Sequence, residues 1–163
     1  MSATTPRRPE NLVHRKAIAW WTLRAALIVV PIVATPAVLA VLIADARTWL
    51  LLATGVLGVL GLLLVLIEPR WRYRVHRWEL TSDAVYTSAG WIWREWRVAP
   101  MSRVQTVDTA RGPLEQLFGL ASVTVTTASA AGPVRIKGLE HAVARDVAEQ
   151  LTARAQLVPG DAA

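Results

Sequence analysis

The chain has 163 residues, 53% of them apolar and 18% charged, with no cysteine and a net charge of +6. An average soluble domain carries about 25% charged residues, so the apolar surplus has to be concentrated somewhere. The missing thiols exclude disulfides, thiolate metal sites and cysteine nucleophiles. The positive balance leaves three candidate partners: nucleic acid, anionic lipid, or the insertion machinery that reads basic flanks.

Residues 1–19 form a basic segment whose head, Met1 to Pro9, reads as disordered. Two uncharged runs follow, Ala25 to Ala44 and Trp49 to Ile67, of 20 and 19 residues. At about 1.5 Å per residue each covers a hydrocarbon core roughly 30 Å thick, so residues 20–67 are expected to form a transmembrane helical hairpin. The connection, Asp45 to Thr48, is too short for anything but antiparallel neighbours. Arg7, Arg8, Arg15, Lys16 and Arg24 precede the first run, and Arg70, Arg72, Arg74 and Arg77 follow the second. The positive-inside rule then places both termini in the cytoplasm, and the protein in the plasma membrane as a multi-pass chain. Trp20, Trp21, Trp49 and Trp71 fall at the ends of the runs, where amphipathic rings favour the headgroup layer. Neither run contains an ionisable residue of the kind transport pathways use. Gly55, Gly58 and Gly61 either pack the two helices together or form a dimerisation face.

From Glu68 the pattern changes to short alternating segments, and residues 68–155 read as a mainly-β domain closed by a helix. Trp71, Tyr73 and Val75 alternate with Arg70, Arg72, Arg74 and His76, which predicts a first strand with one basic face. The parity shift at Trp78 and Leu80 predicts a bulge, or a bend where the strand changes partners. Further strands are expected at Val85 to Thr87, Trp91 to Val98, Arg103 to Thr109, Ser122 to Thr127 and Val134 to Lys137. Gly112 and Pro113 open a short helical turn in which Leu114, Leu117 and Phe118 share an apolar face, and Gly119 ends it in a left-handed conformation. Leu139, Val143, Val147 and Leu151 then recur at helical spacing, before a disordered tail at 156–163.

The segment Met101 to Thr127, followed by VRIKGL at Val134 to Leu139 and a helix, resembles the bacterial pleckstrin-homology-like (PH-like) domain of the YdbS-like, membrane-flanked proteins. The residues that carry the resemblance are Arg103 to Asp108, Gly112 to Leu114 with Pro113 between them, and Phe118 to Leu120 with Gly119 between them. The preceding pair of spans suits that family too. The resemblance implies a PH-like barrel with a C-terminal helix, tethered to the cytoplasmic face, and it implies no catalytic residue.

The residues themselves offer little chemistry. His14, His76 and His141 lie in three dissimilar regions without metal-ligand spacing, and each is expected on the surface. Asp83, Asp108 and Glu115 have no spacing that demands a common site. Residues 68–163 carry twelve basic and ten acidic side chains, net +2, which argues against a nucleic-acid surface. The run Trp91 to Trp96 places large apolar groups on both strand faces: Trp91 and Trp93 dock a partner membrane protein, lie against the headgroup layer, or fill a tryptophan-rich core. Together these features predict a non-enzymatic membrane protein without cofactors, whose domain is an interaction module for a related membrane protein or a second copy of the chain. Two further readings stay open: a domain that senses anionic lipid through Arg70, Arg72, Arg74 and Arg77, and an accessory subunit of a membrane enzyme or transporter.

Overall fold

The computed structural model describes residues 9–90, 93–129 and 132–157. The expected disordered head and tail, Trp91, Ile92 and part of the hairpin loop before Gly132 lie outside these residues, wholly or for the most part. Two compact units divide the chain: one formed by residues 18–71, the other by the segments up to Ala17 and from Arg72 onward. The second unit is therefore discontinuous in sequence.

The first unit holds most of two helices, α1 (Lys16–Leu42) and α2 (Arg47–Val75), both long and apolar enough to cross a membrane and with few of their span residues buried. α1 runs through Pro31 and Pro36 without breaking. Thr22, Thr35 and Thr54 each donate their hydroxyl to the carbonyl four residues earlier at 2.8 Å, which satisfies a polar group that lipid cannot. In the connection, Arg47 donates its Nε–H to Ala40 O (3.1 Å), filling one of the carbonyls that the end of α1 leaves open. The helices meet at the glycines, though unequally. A Cβ on Gly61 would run into the Val29 side chain, one on Gly58 would make ordinary contact with Val33, and one on Gly55 would meet nothing.

α2 corrects the expected first strand of the domain. Residues 68–75 continue the helix, through Pro69, and the first long strand begins only at Arg77. Extending a formed helix costs no new nucleus, whereas an alternation of six residues suits either conformation. The parity shift at Trp78 is thus a helix-to-strand change and not a bulge.

Among its described residues the second unit has seven strands in two antiparallel sheets. β1 (Asn11–Leu12), β2 (Arg77–Leu80), β3 (Ala84–Ala89) and β4 (Glu95–Pro100) form one sheet in that order. β5 (Val104–Ala110), β6 (Leu120–Thr127) and β7 (Val134–Glu140) form the other, also in chain order. β1 has no counterpart in the sequence reading: two residues carry no readable period, and their partner, β2, lies beyond both helices. A 3₁₀ turn, Met101–Arg103, carries the chain from one sheet to the other. The expected barrel is not closed. The described ladders stop at β1 and β4 in one sheet and at β5 and β7 in the other, and the backbone bond from His14 N–H to Gly138 O (2.9 Å) spans a gap without becoming a ladder.

Between the sheets lies an apolar core that includes Val85, Ala99, Met101, Val123, Val125, Val134, Ile136 and Leu139. α3 (Pro113–Leu117) precedes β6, and α4 (His141–Leu157) covers the core with Ala144, Val147 and Leu151. Two details of the expected helix change. Leu139 belongs to β7, and Val143 is exposed. At Gly138, φ is +79°, and the β6–β7 register slips between Ala121 and Val123, so a bulge returns Leu139 to the side of Ile136. Arg154 then ties α4 to the β2–β3 turn by donating to Thr81 O at 2.6 Å.

The glycine contacts predict an unequal response along one helix. Gly61→Val should destabilise the detergent-solubilised protein by about 1–3 kcal/mol through overpacking against Val29, seen as a lower Tm, while Gly55→Ala leaves the Tm within error.

Candidate functional site

The last turn of α2 decides which basic residues meet. On a helix, side chains four apart share a stripe and those two apart point to nearly opposite sides. Arg70 and Arg74 therefore form one exposed stripe, while Arg72, half-buried, aligns with His76. The His76 N–H donates to Arg72 O at 2.8 Å, carrying the helical path through the histidine. Arg77 leaves the helix, enters β2 and donates to Glu10 O at 3.4 Å. The single basic face expected of a strand at 70–77 is thus split three ways.

Beside Arg72 and His76 opens a cavity of about 490 Å³, also lined by Arg97, Arg135, Lys137 and Glu95. Its floor follows from strand register. Val85 pairs with Ala99 in the core, Thr87 with Arg97, and Ala89 with Glu95, so one face turns from apolar to charged within two pairs. Arg97 donates its Nε–H to Glu95 Oε2 (3.2 Å) and Nη1–H to Pro133 O (3.1 Å), which holds β4 to the start of β7. On β7, Val134 and Ile136 enter the core while Arg135 and Lys137 take the other face. Arg97, Arg135 and Lys137 were not singled out in the sequence. The alternation in VRIK places two cations on one face of β7, but nothing in it shows that Arg72 approaches them.

His76 is only 9% exposed, which corrects its expected place on the polar face of a strand. Burial pushes its pKa down to about 4, and the positive charges of Arg72 and Lys137 act the same way, against a smaller opposing effect of a backbone hydrogen bond at Arg72. It is a neutral imidazole at pH 7.

The motif residues have structural work. Glu115 is buried, accepting from Gly112 N–H (2.7 Å) and from the Ser122 hydroxyl (2.5 Å), so it closes a capping box on α3 and anchors β6. Gly112 has an ordinary φ of −70° at the start of α3, whereas Gly119, at φ +68°, takes the expected left-handed form. Leu117 is 71% exposed, which breaks the expected apolar face of Leu114, Leu117 and Phe118. Arg103 is exposed and contributes its carbonyl, which accepts from Ala128 N–H (3.2 Å). Asp108 accepts from the Thr106 hydroxyl (3.2 Å), and Asp83 O accepts from Met101 N–H (2.9 Å). Among the described residues no three His, Asp or Glu side chains are placed to hold a metal ion. Of the tryptophans, Trp20 and Trp21 are buried with ring centroids 5.9 Å apart, Trp49 and Trp71 are exposed, and Trp93 stands at the cavity, 84% exposed.

A family model described as "Bacterial PH domain" matches residues 22–155, which takes in most of α1, all of α2 and the strands from β2 to β7. The chain belongs to the bacterial PH domain family. It is also 30% identical over 140 residues to the UPF0699 transmembrane protein YdbS of Bacillus subtilis (strain 168), covering 83% of this chain and 87% of that relative. No solved structure matches it. The bacterial PH domain here is thus part of a membrane protein with transmembrane helices, and the motif at 101–139 that carries the resemblance to the YdbS-like proteins is the segment that builds β5, α3, β6 and most of β7.

Two substitutions test these assignments. Between about pH 6.5 and 4 the unfolded chain takes up a proton at residue 76 that the folded chain refuses, so stability falls as pH falls through that window and the loss is complete below it. The loss is on the order of 3 kcal/mol. The Tm of His76→Gln should therefore drop less between pH 7 and pH 4 than that of the unaltered protein; equal drops would refute the assignment. Glu115→Ala should cost about 2 kcal/mol, measured by denaturant unfolding, because it strands the Gly112 N–H and the Ser122 hydroxyl together.

Proposed function

We propose that this is a non-enzymatic, multi-pass protein of the plasma membrane whose PH domain, on the cytoplasmic side, is an interaction module for another membrane protein. The partner is a related PH-like membrane protein or a second copy of the chain. The observation that supports this best is the edge strand β4. It pairs with β3 on one side only among the described strands, and its outward row presents Trp96 and Val98, each 49% exposed, with Trp93 just before it. Large apolar groups along an unpaired strand edge are an aggregation hazard unless something covers them. An incoming strand or apolar surface would satisfy both the backbone and the side chains. The basic flanks around residues 7–24 and 70–77, against one Arg and one Asp in the 45–48 connection, support the cytoplasmic orientation.

Both parts are testable in the intact protein. The chain has no cysteine, so single thiols report cleanly. Ala46→Cys should react with an impermeant maleimide in whole cells, and Ala153→Cys only after permeabilisation; the reverse pattern inverts the orientation. Trp96→Ser with Val98→Ser should keep the Tm and lose at least 10-fold of the stoichiometric partner recovered from solubilised membranes by quantitative mass spectrometry. Unchanged recovery would show that β4 is not the docking edge.

A further inference from the structure

The cavity between the end of α2, β4 and β7 has a charge that the domain as a whole does not. Its lining of Arg72, Arg97, Arg135, Lys137 and Glu95 carries +3, with His76 neutral, whereas all residues from 68 to 163 carry only +2. The rest of that segment is therefore slightly acidic. Four of the twelve basic side chains in that segment, from three elements far apart in sequence, meet at one concavity with a single acidic side chain among them.

The geometry of the gathering favours a compact anion over a flat surface. Arg72 and His76 come from one helical stripe, Arg135 and Lys137 from one face of β7, and Arg97 is held in place by Glu95 and Pro133 O. Several cations converging on one concavity raise the local positive potential and draw an anion to it. Two planar guanidinium forks beside a lysine match the oxygens of a phosphoryl group, which accepts several charge-assisted hydrogen bonds at once. A volume of about 490 Å³ accommodates such a group together with the moiety that bears it. Trp93, exposed at the rim, offers a flat apolar surface to that moiety.

We propose that this cavity binds a phosphomonoester anion, with Arg72, Arg135 and Lys137 as its principal contacts. The ester belongs either to a lipid headgroup or to a soluble molecule, and the site does not depend on the docking role given to β4.

The full-length protein in neutral phosphatidylcholine nanodiscs, titrated calorimetrically at constant ionic strength, supplies the test. One arm adds inorganic phosphate; a second compares nanodiscs containing phosphatidic acid, a monoester, with ones containing phosphatidylglycerol, a diester of lower charge, by thermal shift. Saturable phosphate binding supports the proposal for either source, and a response confined to phosphatidic acid assigns the site to lipid. Arg135→Gln with Lys137→Gln should weaken whichever response is seen by at least 10-fold, and either single substitution by about 3-fold should the double variant not fold. Arg70→Gln with Arg74→Gln, on the other stripe of α2, should leave it within 2-fold. No saturable response in either arm, equal non-zero responses to the two anionic lipids, or equal losses in the two double variants would overturn the proposal, the last two by showing diffuse surface charge.

Discussion

The organisation of the site depends on a helix that does not end where its apolar run ends. α2 continues past Ile67 to Val75, and its hydrogen-bonded path reaches His76. Starting a strand at Arg70 would have exposed a helix terminus with unfilled carbonyls and left the next ladder to begin without a neighbour already in place. Continuing the helix avoids both. The rotation that comes with it sorts three arginines that look equivalent in the sequence, sending Arg72 toward His76 and leaving Arg70 and Arg74 together on an exposed stripe. A strand at the same residues would have put all three on one face, and the cavity would lack its helical wall.

The sandwich supplies the opposite wall by the same kind of periodic logic. β3 and β4 are paired so that one face carries Val85 and Ala99 into the core and, two residues further on, Thr87 and Arg97 into the cavity. The apolar core and the charged concavity are thus consecutive parts of one surface. Because the sheets do not close into a barrel, this face is open at the end where the charges lie. Arg97, held by Glu95 on its own strand, stiffens that end, since its bond to Pro133 O links β4 to the start of β7. His76 shows how strongly the surroundings act on a residue that sequence alone would leave on the surface: burial and two neighbouring cations hold it neutral.

Most strand and helix segments from Ala84 to Leu157 were legible in the sequence, because alternation, Pro100, Pro113 and Gly119 mark them locally, although β4 (Glu95–Pro100) starts four residues after the expected Trp91 and β7 (Val134–Glu140) runs three past Lys137. The family likeness also lay there, in the stretch around Gly112 to Leu120. What was not legible is what depends on distant pairing or on a choice between periods. β1 is two residues long and is defined only by β2, some sixty residues later. The segment at 70–75 satisfies a period of two as well as a continuing helix, and only its covalent attachment to α2 decides. The role of Glu115 rests on Ser122 and Gly112 approaching it from both sides, which a residue count does not show. Arg135 and Lys137 were visible as alternating cations, but their neighbours come from another sheet and from a helix.

The pairing of Asn11 with Trp78 has a consequence for how the chain can be made and handled. Both helices are inserted between two strands that must lie side by side, so β1 emerges from the ribosome well before its partner and waits for it through roughly 3–13 s of synthesis. The PH domain completes its first sheet only after the whole hairpin has been translated. A soluble fragment started at Arg72 lacks β1, leaves one edge of β2 bare and loses the bond from His14 to Gly138. A fragment that preserves the native sheet has to carry residues 9–17 as well, joined to Arg72 by a linker that takes the place of the helices.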